Sequence, residues 1–408
     1  MAMWKETNDG EYINIQSKKH LGEIVFKYMG IKAKSKTTKG TEQFDMEMLE
    51  DLSKEYTWAE NLRIYNKLLK IKSTYIERFI QGSEDGRYYF YFKQNGTVSG
   101  RYGSDAQQLP KTKEEGEDAP IIVKYNNIVR AFMIAGKGRK VIDADYESLE
   151  PHCFASVAGD IKLQEIFNNG WDFYSTVAIQ TEKLEGVSPD KKAPNYLKKV
   201  DPVKRNQAKA YSLGIAYGME DYALGMTLGI PQKEAEKLVQ GYLDGFPELK
   251  SWRENSRKQV KEHGRITNFV GRIRHIPKVK RIFDRYGERI MDWKFRNELA
   301  AQYGKDDVMA LYRDYRNGLN NCLNFQLQSL AAAVVNRAAV KINRKAKELG
   351  IDARVQAQVH DQLIINVAEE DAEMFAPIVR EIMETTTILP GVTLKAPPEI
   401  SVNWRDGH

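Results

Sequence analysis

The chain has 408 residues, 62 of them basic and 56 acidic, for a formal charge of +6 with histidines neutral. That length suits more than one domain, and the mild basic excess permits a nucleic-acid partner without requiring one. Cys153 and Cys322 are the only cysteines, which excludes a disulfide framework and a zinc cluster and fits a reducing interior. No apolar run reaches the ~18 residues of a membrane span and the first residues lack an apolar signal region, so a soluble, cytoplasmic protein is expected.

Helix-like and strand-like segments alternate irregularly, which predicts a mixed α/β, helix-rich fold. Residues 1–12 read as a lead-in. Ser17–Met29 has helical apolar spacing, a serine cap and a terminating Gly30. Lys32–Thr41 is a polar loop, and helices follow over Phe44–Leu52 and Trp58–Ile80, the second carrying Lys67, Lys70, Lys72 and Arg78. Arg87–Phe92 reads as an aromatic strand, Thr97–Pro110 as a turn-rich stretch and Glu114–Asp118 as an acidic loop. Lys140–Asp145 is a strand with Val141, Asp143 and Asp145 on one face, and a helix follows from Glu147.

Further on, helices are expected over Gln232–Leu243 and Glu248–His263, and Val270–Pro277 is a basic turn. Residues 278–319 are highly charged and helix-prone, with the look of an insertion. Asn324–Leu349 is an Ala-rich helix closed by Gly350. Arg354–Val359 and Gln362–Val367 form a tight hairpin with His360 and Asp361 at its tip. A plain polar turn fits that tip as well as a ligand-holding one.

Between Asp201 and Gly218 lies a helix whose Arg205, Lys209, Leu213 and Tyr217 recur every four residues along one stripe. Asp201-Pro202 is a capping pair and Gly218 a stop. Two cations and an aromatic on one stripe suit a nucleoside triphosphate; a solvated amphipathic helix fits equally well in isolation. Asp145 at a strand end and Asp361 at a hairpin tip supply what phosphoryl transfer needs, since two carboxylates can hold two Mg²⁺ ions. Arg205 and Lys209 then grip the phosphates. No GxxxxGK[ST] loop is present.

These pieces, in order, resemble the polymerase portion of the DNA polymerase I family (family A), its phage members included. The family's R-x3-K-x7-Y-G helix is matched by Arg205, Lys209, Tyr217 and Gly218, and its D-Y-S-Q-I-E strand motif by Asp145 to Glu150. Its H-D-E hairpin is matched by His360, Asp361 and Gln362, its T-x-x-G-R by Thr97, Gly100 and Arg101, and its N-x3-Q by Asn324 and Gln328. Ser73–Phe79 and the NWRDGH ending extend the likeness from about Tyr12 to His408.

The resemblance implies a right hand with a mostly antiparallel palm sheet. It assigns residues 1–86 to the thumb, 87–160 and 324–408 to the palm and 161–323 to the fingers, with no exonuclease domain and therefore no proofreading in this chain. It implies template-directed DNA synthesis from a primer 3′-OH with dNTPs, using two Mg²⁺ ions that Mn²⁺ can replace. Asp145, Asp361 and Lys209 become the catalytic residues. Asp145, Asp361 and the Tyr146 carbonyl become the metal ligands. Arg205, Lys209, Leu213, Tyr217, Glu150 and Tyr174 line the nucleotide, with Glu150 as the steric gate against a ribose 2′-OH. Arg101, Asn324, Gln328, His360, Lys72 and Arg272 contact DNA, the first and third of these as minor-groove readers. Primer-template DNA and dNTPs are the expected partners of a monomer, alongside a separate exonuclease or processivity factor, in the host cytoplasm if the chain is phage-encoded.

Glu147, Ser148, Pro151 and His152 around the strand motif and Gln108 before it depart from the family's pattern, and three further departures bear on the nucleotide. Leu213 stands where the family has Phe or Tyr, which predicts altered discrimination at the sugar 3′ position. Gln362 replaces the third acid, and Tyr174 stands where relatives place a phosphate-touching His. A single-subunit RNA polymerase is the alternative reading; Glu150 argues against it, because such enzymes tend to have a small residue there. A DNA-binding relative without catalysis is disfavoured by the joint presence of Asp145, Asp361, Arg205 and Lys209.

Overall fold

The computed structural model describes residues 12–33, 35–36, 42–110, 125 and 128–407. The lead-in up to residue 11 and the acidic 114–118 loop lie outside them. The chain divides into two compact units.

The first unit comprises Met1–Phe90, Gln108–Ile134 and Asn403–Asp406. Helices α1 (Lys18–Glu23), α2 (Met46–Leu52) and α3 (Thr57–Ile71) close a core of Leu21, Val25, Phe44, Met48, Leu49, Leu52, Ala59 and Leu62. The His20 and Met48 amides donate to the Ser17 hydroxyl (3.3 Å) and the Asp45 carboxylate (2.9 Å), so two of the helices start on side-chain caps. The single helix expected over Trp58–Ile80 is present from Thr57 to Gly82, α3 widening into a π-turn at Lys72–Ile76 and continuing as α4 (Glu77–Gly82). The Ser73 hydroxyl donates back to the Leu69 carbonyl at 2.9 Å there, a local bond that competes with the regular helix ladder. The expected Arg87–Phe92 strand is two short ones. Strands β1 (Ser83–Glu84) and β2 (Arg87–Tyr88) pair around Asp85-Gly86, both at positive φ, the geometry of a tight primed turn.

The second unit comprises Tyr91–Gln107, Ala135–Val402 and Gly407–His408. Strands β3 (Phe92–Lys93) and β4 (Gly103–Ser104) form a short pair in it. Its centre is an antiparallel sheet of β5 (Arg139–Asp145), β8 (Ala353–Val359), β9 (Gln362–Ala368) and β10 (Pro398–Ser401), in the order β8-β9-β5-β10. Alternation along β5 and β9 gives the sheet two different faces. Ile142, Ala144, Leu363 and Ile365 join one apolar core with Leu330, Val334, Ala338 and Ile342 of α14 (Lys305–Leu349) and Phe375, Val379 and Met383 of α15 (Ala372–Thr385). Asp143, Asp145, Gln362 and Asn366 line the other face.

In sequence a helical layer lies between β5 and α14. Helices α5 (Leu149–Ala158), α6 (Ile161–Asn168), α7 (Phe173–Glu182), α8 (Pro202–Ala216), α9 (Asp221–Leu228), α10 (Gln232–Gly245) and α11 (Pro247–His263) run from the end of β5. Helix α8 starts where expected, the Lys204 amide donating to the Asp201 carboxylate at 3.0 Å and Pro202 in its first turn. Its Ala208, Tyr211, Ser212 and Ile215 are buried at i, i+3, i+4 and i+7, and the three apolar ones pack with Phe173 and Val177 of α7 and Tyr242 of α10.

The charged stretch 278–319 folds into α12 (Pro277–Tyr286), α13 (Trp293–Tyr303) and the first turns of α14, around Val279, Ile282, Ile290, Leu299, Val308 and Tyr315. The basic turn near Val270 joins β6 (Arg265–Thr267) to β7 (Ile273–His275). Helix α14 therefore begins well before Asn324 and runs 45 residues. Cys153 and Cys322 are both buried and unbridged. Among the described residues no helix is long and apolar enough to cross a membrane.

Candidate active site

Two chain reversals bring the acidic residues together. Strand β5 ends at Asp145, which pairs in register with Gln362 of β9. Asp361, the residue before Gln362, therefore lies next to the strand end, and its carbonyl accepts from the Tyr146 amide at 3.3 Å. His360, exposed at φ +57°, makes the turn as tight as two residues allow. Burial, reinforced by the Asp145 carboxylate, pushes the Asp361 carboxyl up to about 6. The buried Tyr146 side chain anchors this corner, its hydroxyl donating to the Met383 carbonyl at 2.7 Å.

Behind Asp145 on the same face sits buried Asp143. The Gln362 amide donates to both of its carboxylate oxygens at 2.7 Å. The departure at 362 thus has a local cause, because a glutamate there would face a second carboxylate in a buried space. The alternation Val141, Asp143, Asp145 was visible in the sequence; the cross-strand partner was not.

Glu150 opens the first turn of α5, which starts from Ser148 at φ +53°. Its carboxylate accepts from the Arg101 guanidinium on one oxygen and the Tyr217 hydroxyl on the other. Burial, followed by Glu150, holds the Tyr217 phenol well above its ordinary range, so it stays a donor. Arg101 is placed by the Thr97–Arg101 turn, where the Thr97 hydroxyl donates to the Arg101 carbonyl at 2.8 Å. Asn336 of α14 donates to the Gly100 carbonyl at 3.2 Å and accepts from Gln358 of β8 at 2.9 Å, which ties that turn to the hairpin. Gly100 has φ +82°, and a Cβ there would meet the Arg272 guanidinium at 2.6 Å, so Arg272 closes over the same turn. Asn336 and Gln358 carried no signal in the sequence beyond being polar residues on a buried helix and strand.

The α8 stripe splits between two neighbourhoods. Tyr217 reaches Glu150. Arg205, three turns away, is held by Asp172: its Nε and one Nη each donate to a carboxylate oxygen at 3.1 Å, leaving the other Nη outside the pair. Arg205 also lies over the Tyr174 ring, 4.9 Å from its centroid. Burial alone would raise the Asp172 carboxyl, but the hydrogen bonds from Arg205 and Ser175 outweigh it and its pKa lies below the ordinary value. Asp172 also caps α7, accepting from the Ser175 amide at 3.0 Å; its D-x-x-S spacing was the readable signal for the cap, not for the ion pair. Lys209 is exposed between the two neighbourhoods, and Leu213 is half-buried.

The remaining expected contacts are more scattered. Asn324 and Gln328 lie half-buried on α14, and Asn324 Oδ1 is buried with no hydrogen-bond partner among the described residues. Lys72 belongs to the first unit, where it pairs with Glu77 at 3.6 Å.

The donor set suits a hard divalent cation. Two carboxylates converge at one corner, the Asp145 charge helping to raise the Asp361 carboxyl, and an oxygen-only set of this kind fits Mg²⁺, which draws its other ligands from water and phosphate. Among the described residues no group of three or more His, Cys, Asp or Glu side chains is arranged around a metal position.

With this geometry in view, the comparison with known families is decisive. A sequence profile described as DNA polymerase family A matches residues 2–406. The chain belongs to DNA polymerase family A. It is 29% identical over 403 residues to DNA polymerase I of Bacillus caldotenax, covering 97% of this chain and 40% of that protein. Against the thermostable DNA polymerase I of Thermus aquaticus it is 27% identical over 399 residues, 97% of this chain and 42% of that one. The chain thus spans about two-fifths of the length of these family A relatives. Its fold matches the POL domain of Pol1 from M. smegmatis, solved in complex with DNA primer-template and dNTP. The TM-score is 0.73 at 24% identity, over 100% of this chain and 64% of that one.

Proposed function

We propose that this chain is a DNA-directed DNA polymerase that extends a primer 3′-OH with dNTPs. The observation that carries the reading is the single corner where Asp145 and Asp361 converge beside Glu150, itself held between Arg101 and the end of the cationic α8. Primer-template DNA and dNTPs are the partners this reading requires, with the sheet, α5 and the part of α14 from Asn324 onward as a palm, α6–α13 and the start of α14 as fingers, and the first unit's helices as a thumb. A monomer acting in the cytoplasm, with a processivity factor as a further partner, fits the same reading.

Asp145, Asp361 and the Tyr146 carbonyl are the groups that would hold two Mg²⁺ ions, or Mn²⁺ in their place. Bound there, such ions supply Lewis acidity at the attacking hydroxyl and charge neutralisation at the leaving phosphates. Everything else is assigned to side chains of this chain. Lys209 and the uncommitted edge of Arg205 bind the triphosphate, and Tyr174 stacks beneath that guanidinium. Glu150, fixed at both oxygens, occupies the space of a ribose 2′-OH. Leu213 leaves the sugar without an aromatic neighbour. Arg101, Arg272, Asn324, Gln328, His360 and, from the first unit, Lys72 contact the primer-template.

Primer extension with dNTPs and then rNTPs tests the reading. Wild type should extend with dNTPs and stall with rNTPs, and Asp361→Ala should do neither. Robust extension by Asp361→Ala removes the metal assignment, and a preference for rNTPs by wild type returns the RNA polymerase alternative.

A further inference from the structure

Helix α8 ends on Tyr217-Gly218, and three residues beyond Tyr217 stands Glu220. Its position is the N-cap of α9, yet its carboxylate makes no cap hydrogen bond. It is turned instead toward two arginines. Arg257 of α11 approaches one oxygen at 3.6 Å and Arg316 of α14 the other at 3.4 Å. Arg257 also donates to the Asn320 side chain of α14 at 3.1 Å. Asn320 in turn lies flush against the pivot: Gly218 sits at φ +99°, and a Cβ there would meet Asn320 Oδ1 at 2.4 Å.

The charge count around this point is lopsided. One turn before Arg257, Arg253 is buried at 6% exposure, and its Nε and Nη1 have no hydrogen-bond partner among the described residues. Burial, then Arg257, push that guanidinium down to about 10, while Glu220 acts in the opposite sense. Glu220 therefore pairs with two guanidinium groups and partly offsets a third, and its removal leaves Arg257 and Arg316 without that shared carboxylate and leaves Glu254 as the remaining acidic neighbour of Arg253.

We propose that Glu220 is a positioning residue for nucleotide selection. Its carboxylate fastens the end of α8 to α11 and α14, and through the Gly218 pivot it fixes where the Tyr217 hydroxyl meets Glu150. This rests on the reading of Glu150 as the sugar-discriminating group. Glu220 touches neither substrate nor Glu150; it acts through Tyr217. Loosening it frees Tyr217, and Glu150 loses one of the two donors that hold its carboxylate. Sugar selection then weakens while the chemistry at Asp145 and Asp361 is left alone.

The test compares wild type with Glu220→Gln, which keeps shape and removes charge, and Arg316→Gln, which cuts the same contact from the other side. Amide hydrogen exchange over residues 213–220 in the DNA-free protein reads the fastening without any appeal to polymerase activity. Primer extension then reads the ratio of dNTP to rNTP incorporation. Both variants should speed exchange at 213–220 and lower the dNTP/rNTP ratio by about three- to five-fold, the scale of a half-exposed ion-pair network, with the dNTP kcat within about two-fold of wild type. The Glu220→Gln/Arg316→Gln double variant should lose no more than either single one. Unchanged exchange in both variants overturns the fastening. Faster exchange with an unchanged ratio overturns its link to Glu150. A wild type that does not discriminate at all is instead a failure of the Glu150 reading, separable because the exchange result stands by itself.

Discussion

The β5–β9 corner and helix α8 meet the same substrate in the proposed reaction, but they are built in opposite ways. At the corner, position is imposed by backbone: two neighbouring strand ends in fixed register, a two-residue turn and a tyrosine anchored on Met383. Along α8, position is imposed by side chains borrowed from elsewhere, with Asp172 holding Arg205 and Glu150 holding Tyr217. Backbone placement suits groups that must hold metal ions within a few tenths of an ångström. Side-chain partnerships suit groups that exchange one partner for another when a nucleotide arrives. The corner should therefore govern the maximal rate, and α8 nucleotide affinity and choice.

The most damaging way to break the comparison is at the corner. Asp145→Ala should lower the maximal rate of incorporation at least about a thousand-fold, because loss of a proposed metal ligand would remove several kcal/mol of transition-state stabilisation. Single-turnover kinetics at saturating dNTP measures this, and a loss confined to KM would contradict it. Next comes Glu150→Ala, which empties the space assigned to the 2′-OH. Discrimination against rNTPs should fall by about a hundred-fold while dNTP incorporation continues, the range a steric pocket can supply. A smaller effect is expected on α8's other partnership. Asp172→Asn keeps a capping oxygen for α7 but removes the charge that orients Arg205, so the KM for dNTP should rise by about five-fold with kcat nearly unchanged.

The smallest effect concerns stability, and it belongs to the frame behind the corner. His152 of α5 is buried, tilted at 33° against Phe167 with ring centroids 4.0 Å apart, and its Nδ1 faces the Ser148 carbonyl at 2.9 Å. A carbonyl only accepts, so that nitrogen carries the proton of the neutral ring. Burial lowers the His152 pKa from its ordinary value of 6.5, with the Ser148 carbonyl partly opposing. The unfolded chain therefore takes up this proton first on acidification. Stability present above pH 6.5 should decline as pH falls below it. Urea midpoints measured between pH 8 and 5 should show a steeper fall in wild type than in His152→Phe; parallel curves would contradict the buried neutral state.

Much of this was legible in the sequence where local rules act alone. The α8 boundaries followed from Asp201, Pro202 and Gly218, and the hairpin around His360-Asp361 followed from alternation. The four-residue repeat correctly placed Arg205 to Tyr217 on one partly exposed side of α8. What sequence could not give was partnership across distance. Nothing local pairs Arg205 with Asp172, Gln362 with Asp143 or Glu220 with Arg316, because each pair joins different elements. The same reason explains the misread boundaries. The 45-residue α14 looked like a charged segment followed by an apolar helix because its first half serves one core and its second half another. The π-turn inside the Trp58–Ile80 helix lies where a serine hydroxyl turns back on Leu69, a detail the apolar spacing does not carry.

The division between corner and helix is tested most directly by one assay on two variants. Single-turnover primer extension should be run across a range of dNTP concentrations with Asp361→Asn and with Arg205→Ala. The account predicts that Asp361→Asn collapses the plateau rate with little change in the half-saturating dNTP concentration. It predicts that Arg205→Ala raises that concentration about ten-fold while retaining most of the plateau. A plateau close to wild type for Asp361→Asn, or a collapsed plateau for Arg205→Ala at unchanged half-saturation, would contradict it.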